Sequence, residues 1–260
     1  MQSNFKNNRI YQNPYLVFSP FLLLYIIYIL IFQKEGLFGD ESRFLSYADN
    51  LIRGYYAPPD LTLGQGPGYP IFLAPFLAFD LPFVCIKLMN ALFLYLSIVF
   101  LFKALRLIVS FRLALIVSIF WACYFNSFEF LHLMYSEVFS TFLISLLLFF
   151  IVKAFHPSSG TKESKKYLIL SGFMIGYITL TKVVFGYVML VFLIVLVFLW
   201  LINKNAVNYR KSLFILLVAF ITVAPYLIYT YKLTGKAYYW STYGGETLYW
   251  MSTGHEGQYG

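Results

Sequence analysis

The chain has 260 residues, 60% of them hydrophobic and 12% charged, with 19 basic against 11 acidic side chains and a net charge of +8. A soluble domain carries about 25% charged residues, so this composition excludes a water-soluble globule, and lipid must cover part of the surface. The positive charge does not indicate nucleic acid, because the basic residues fall in short segments between apolar runs, where Lys and Arg orient membrane spans.

A helix needs about 20 apolar residues to cross a ~30 Å hydrocarbon core. The first such run is Tyr15 to Phe32, preceded by a polar head with Lys6 and Arg9. No small-x-small cleavage site follows it, since the exit reads Gln33-Lys34-Glu35-Gly36, and the run reads as an uncleaved span. Residues 33–68 form the longest polar stretch. Within it Phe44, Leu45, Ala48, Leu51 and Ile52 recur at helical spacing, with Arg43, Asp49, Asn50 and Arg53 elsewhere on the wheel. That pattern predicts a short amphipathic helix along the membrane surface, ended by Gly54. Pro58-Pro59 and Gly66-Pro67-Gly68-Tyr69-Pro70 then make a turn-rich return.

Ile71 to Leu105 is apolar but interrupted by Asp80 and Pro82, which predicts a short partial helix followed by a full span. Further runs cover 113–127, 137–154, 167–181, 183–201 and 212–231. Lys103, Arg106, Arg112, Lys153, Lys162, Lys165, Lys166, Lys204, Arg210 and Lys211 then fall on the side of the N-terminus, which the positive-inside rule makes cytoplasmic. The expected fold is all-α and polytopic: one transmembrane domain over 1–260 with about seven spans, N-terminus in and C-terminus out. The 33–68 loop and the polar, aromatic segment 232–260 then lie on the outer side. The abrupt end of that segment suggests an incomplete outer region, from a fragment or a truncated gene product. Phe (29) suits lipid contact and Tyr (23) the headgroup zone. Cys85 and Cys123 sit in apolar stretches and read as small buried hydrophobes.

Asp40 and Glu41 are adjacent carboxylates on the outer side. Neighbours on a helix diverge by about 100°, so one could face a reacting group while the other orients. Helix N-capping explains the same pair. Glu137 and Lys182 both stand at outer ends of spans, where an ionisable group serves function, pairing or anchoring at the interface. His132, His156 and His255 show no metal-ligand spacing. His132 and His255 could both face outward, so a divalent metal ion stays open as the one cofactor, with its ligands unknown. No nucleotide loop or Ser-His-Asp set is present.

The order Gly39-Asp40-Glu41-Ser42-Arg43, Gly54-Tyr55-Tyr56 and Gly66-Pro67-Gly68-Tyr69-Pro70 resembles the first outer loop of GT-C glycosyltransferases. The likeness is greatest to bacterial relatives of protein O-mannosyltransferases and aminoarabinose transferases. Tyr135-Ser136-Glu137, Gly176-Tyr177-Ile178-Thr179-Leu180-Thr181-Lys182, and Ala224-Pro225-Tyr226 through Gly244-Gly245-Glu246-Thr247-Leu248 are similar to later segments of that family. The family's Arg/Asn pair after the proline is missing from Tyr226–Tyr231, and family members are usually longer. The resemblance implies inverting transfer of a sugar from a polyprenyl-phosphate donor to a lipid, glycan or protein acceptor. It implies Asp40 as catalytic base with Glu41 assisting, and a bacterial plasma membrane with the active site outside. Lys182, Arg43 and Arg53 are candidates for the donor phosphate; Glu137, Tyr55, Tyr56, Tyr69, Trp240 and Tyr243 are candidates for the substrate. Apart from the resemblance, a transporter or flippase would need mid-membrane ionisable residues, for which Asp80 and Lys87 are the only candidates. A non-catalytic or truncated glycosyltransferase remnant is the other alternative.

Overall fold

The computed structural model describes residues 13–33, 36–58, 63–157, 160–202 and 209–243. Lys6, Arg9, Lys34, Pro59, Lys204, Gly244–Leu248 and His255 lie outside the described residues. The described residues form helices and no strand. In chain order these are α1 (Pro14–Phe32), α2 (Glu41–Ile52), α3 (Gly68–Ala78), α4 (Phe83–Leu105), α5 (Phe111–Ala122), α6 (Phe125–Glu129), α7 (Ser136–Phe155), α8 (Thr161–Thr181), α9 (Val184–Ile202) and α10 (Tyr209–Thr234).

Local sequence explains the boundaries. Asn13 caps α1 by accepting from the Tyr15 N–H at 3.0 Å, with Pro14 at the first helical position. The expected break between the partial helix and the full span is present. Asp80 takes φ 49°, a left-handed conformation, and Pro82 precedes the first turn of α4.

Among the described residues five helices are long and apolar enough to cross a membrane: α1, α4, α7, α9 and α10. The expected count of about seven includes two segments that fall short by those measures. Helix α8 has 21 residues, but Lys162, Glu163, Lys165 and Lys166 occupy its first turns. The expected run 113–127 is broken at Cys123–Tyr124 into α5 and α6. Together these two run alongside α1 from the level of Phe18 to that of Tyr28. Phe111 packs edge-on to Phe102, which meets Phe18, while Phe128 meets both Tyr25 and Tyr28.

Aromatic stacking fills the centre, with Phe93 against both Phe139 and Phe142 at 5.0 and 5.3 Å between centroids. The seam between α8 and α10 works differently. Gly172 and Gly176, one turn apart, face the Ile215 carbonyl with Val218 and Thr222 with the Ala219 carbonyl. A Cβ would come within 2.6 Å of the Ile215 carbonyl and Val218 at Gly172, and within 2.5 Å of Thr222 and 3.0 Å of the Ala219 carbonyl at Gly176, so only glycine permits this approach.

The amphipathic helix is α2, but its apolar stripe does not rest on lipid alone. Phe44, Leu45 and Ala48 are buried by protein, and Phe44 meets the Tyr69 ring of α3 edge-on at 5.1 Å. Asn50, expected on the polar side, is buried and donates to the Tyr56 carbonyl at 3.1 Å, closing the end of α2. Ile52, expected on the apolar side, is exposed. The expected burial of both cysteines is also corrected: Cys85 is half-buried and Cys123 exposed, because the break after α5 turns it outward.

The bundle has two chemically different ends. At one, Lys103 lies against the rings of Tyr15, Phe100 and Phe149, Lys153 pairs with Glu163 at 3.6 Å, and Lys211 donates to the Ala154 carbonyl. At the other end lie α2, the start of α7, the end of α8 and residues 238–243.

Candidate functional site

Asp40 stands directly before α2, yet its side chain makes no capping hydrogen bond. The capping explanation therefore fails for Asp40. Its carboxylate turns outward instead. Arg43 Nη1 lies 3.1 Å from Oδ1, one helical turn along, and Gln65 Nε2 donates to Oδ2 at 3.4 Å. The side chain keeps 44% of its surface exposed. Arg43 in turn sits 5.1 Å from the centre of the Tyr243 ring.

Glu41 points the other way and is fully buried. Its Oε2 accepts from the Phe38 N–H at 2.7 Å and its Oε1 from the Met134 N–H at 2.6 Å. Both oxygens are committed to backbone donors, so Glu41 holds the loop together where assistance in catalysis was expected. The N-terminal reading of this carboxylate is the one its contacts support.

Glu137 and Lys182 form the second cluster. Lys182 Nζ is 2.7 Å from Glu137 Oε1, joining the end of α8 to the start of α7. Glu137 Oε2 is buried, with no hydrogen-bond partner among the described residues. The Gly66-Pro67-Gly68 turn connects this cluster to the first. Gly66 packs on the Leu180 carbonyl and Gly68 on Thr181, approaches that leave no room for a Cβ. Gln65, on Asp40, immediately precedes that turn, and Lys182 immediately follows Thr181.

The other expected residues divide. Arg53 is an exposed partner of Asp49 at 2.7 Å, at the opposite end of α2 from Asp40; twelve helical residues put the two ends about 18 Å apart. Tyr56 is buried, stacked on Tyr47, and donates to the Gln65 carbonyl at 2.6 Å. Burial among Tyr226, Tyr47 and Tyr229 raises its pKa well above the usual tyrosine value. Tyr69 and Trp240 are also buried, Trp240 against Gly186, so neither offers a ring face for a sugar to stack on. Tyr55 is exposed, and Tyr243 partly so. Tyr55 lines an apolar groove of about 390 Å³ with Ile71, Leu180, Thr222, Pro225 and Tyr229.

Residues 238–243 roof the first loop. The Leu63 and Thr242 backbones bond at 2.9 Å, Ser241 Oγ donates to the Leu63 carbonyl at 2.8 Å, and the Gly64 N–H donates to Tyr47 Oη at 2.9 Å. Gln65 and Tyr47 were not singled out from sequence. Position gives the one available signal for Gln65, which stands next to the Gly-Pro-Gly turn. Among the described residues no group of three or more His, Cys, Asp or Glu could hold a metal ion.

Residues 65–229 match the family model described as dolichyl-phosphate-mannose-protein mannosyltransferase. The chain belongs to this family. The matched range holds Gln65, Glu137, Lys182 and Pro225, while Asp40 and Arg43 precede it. No curated protein matches the chain. Among solved structures the chain is similar to the S. cerevisiae protein O-mannosyltransferase Pmt1-Pmt2 complex bound to the sugar donor, with TM-score 0.61 and 18% identity over 85% of this chain. The chain spans 34% of that neighbour's chain. The likeness shows a shared fold, that of a multi-pass membrane protein.

Proposed function

We propose that this protein is an integral membrane glycosyltransferase that uses a polyprenyl-phosphate sugar as donor. The observation that carries the reading is the Asp40 carboxylate. It is half exposed, oriented through both oxygens by Arg43 and Gln65, and linked by the Gly66–Gly68 turn to the neighbourhood of Lys182. A hydroxyl is a poor nucleophile until a positioned base takes its proton. Asp40 accepts that proton as the acceptor oxygen attacks the anomeric carbon. The bond from that carbon to the phosphate oxygen breaks, and polyprenyl phosphate leaves with the electron pair. A single displacement of this kind inverts the anomeric centre. Arg43 and Lys182 are the cations that stabilise the leaving phosphate.

The apolar groove beside Tyr55 suits the first isoprene units of the donor. Membership of the dolichyl-phosphate-mannose-protein mannosyltransferase family, and the shared fold with a protein O-mannosyltransferase bound to its sugar donor, favour a mannosyl donor and a protein acceptor. Basic residues gathered at the far end of the bundle support a cytoplasmic N-terminus, and with it a site on the outer face of a bacterial plasma membrane.

The test is incubation of membranes containing the full chain with labelled polyprenyl-phosphate sugars, followed by a search for glycosylated lipid, glycan and protein. Transfer from a mannosyl donor is expected. Donor left unconsumed across the series overturns the proposal.

A further inference from the structure

Among the described residues the Asp40 carboxylate meets two side chains, Arg43 and Gln65, and Arg43 is itself partly exposed. The position of Asp40 is set elsewhere, through its backbone. Gly39 takes φ 51°, a left-handed conformation that turns the chain sharply into α2. Tyr135, the last residue before α7, lays its hydroxyl over that glycine, where a Cβ would otherwise stand. Tyr135 Oη accepts from the Asp40 N–H and donates to the Phe38 carbonyl, each at 3.3 Å. Glu41 completes the arrangement from inside, accepting from Phe38 N–H and Met134 N–H. Three of these four hydrogen bonds tie residues 38–41 to residues 134–135, more than ninety positions away, and the fourth closes the turn on itself.

We infer that Tyr135 is a positioning residue for Asp40: its hydroxyl clamps the 38–40 turn and sets where the carboxylate points, without touching substrate. The inference rests on the transferase reading for its catalytic consequence and on the geometry alone for the clamp. The clamp needs the hydroxyl and not the ring, which packs separately against Phe130 at 6.2 Å. Tyr135→Phe therefore removes the two bonds and leaves the packing in place. It also opens the space over Gly39, so the extra methyl of Gly39→Ala costs less in a Tyr135→Phe background than alone, a coupling that a double-mutant cycle reads directly.

The experiment uses the full chain in nanodiscs with the labelled polyprenyl-phosphate donor, in two arms. In the kinetic arm Tyr135→Phe lowers kcat roughly 10-fold, with the donor KM and the thermal midpoint little changed, since a small misplacement of a reacting group slows the chemical step. In the exchange arm the amide hydrogens of residues 38–41 exchange faster in Tyr135→Phe, while those of α4 are unchanged. A kcat within twofold of wild type, a loss that follows the thermal midpoint, or unchanged exchange at 38–41 overturns the inference. A wild-type chain that consumes no donor overturns the transferase reading, and the exchange arm then decides the clamp alone.

Discussion

Lys182 and Glu137 stand 45 positions apart in sequence and 2.7 Å apart in space, Nζ to Oε1. The pair joins the C-terminal end of α8 to the N-terminal turn of α7, and the other carboxylate oxygen has no hydrogen-bond partner among the described residues. Lys182→Met would leave a partly buried carboxylate without its cation. The expected cost is about 1–3 kcal/mol, read as a lower thermal midpoint in detergent, together with loss of sugar transfer. Lys182→Met/Glu137→Met should recover stability but not transfer. Equal midpoints for wild type and Lys182→Met would show that the contact contributes nothing.

Asp40→Asn separates chemistry from folding. The carboxylate is half exposed and its ion pair lies at the surface, so removing the charge should cost less than about 1 kcal/mol. Losing the base should reduce transfer by on the order of 100-fold or more. Near-normal turnover in Asp40→Asn would remove Asp40 from the mechanism.

The glycine seam makes a prediction about stability alone. Gly172→Ala or Gly176→Ala forces α8 from α10, because the new Cβ meets a branched side chain at 2.5–2.6 Å and a backbone carbonyl at 2.6–3.0 Å. Overpacking of this kind costs about 1–3 kcal/mol. Gly160→Ala, with nothing within 4 Å of its Cβ position, adds no clash and should lose only what glycine contributes at the N-cap of α8, less than about 1 kcal/mol.

The first loop should weaken at high pH. Burial, reinforced by Tyr226, Tyr47 and Tyr229, raises the Tyr56 pKa well above 10.0. The folded state therefore holds the phenolic proton more tightly than the unfolded chain. That preference is fully present below pH 10 and is lost as pH rises from about 10 through the folded value. Limited proteolysis between residues 54 and 66 should accelerate across that window. Tyr56→Phe, which cannot ionise, should flatten the dependence while losing the bond to Gln65.

Much of the fold is legible in the residues. Apolar runs locate the spans, and Asp80 with Pro82 locates the break before α4. Helical spacing from Phe44 to Leu51 identifies α2, because burial against either lipid or protein imposes the same period. For that reason the pattern cannot say that Tyr69 of α3, rather than lipid alone, covers Phe44. The adjacent acidic pair is visible, but its division is not. Asp40 and Glu41 differ in role because one faces solvent and the other meets the Met134 N–H, a long-range contact that no local pattern encodes. Tyr56, Tyr69 and Trp240 read as sugar contacts in the sequence because an aromatic ring suits a core as well as a carbohydrate face. The pairing of Lys182 with Glu137 joins two signals that are each visible separately.

The roof over the first loop has a consequence for biosynthesis. Leu63 and Thr242 are 179 positions apart, so a chain emerging from the ribosome makes the acidic turn early and its cover late. Until Trp240 has seated on Gly186 and Ser241 has reached Leu63, the loop carries Asp40 without the surroundings that hold Gly64 and Gln65 in register. A nascent chain with its early helices already inserted thus carries an open loop, and the roof over that loop closes only when the segment after α10 folds back.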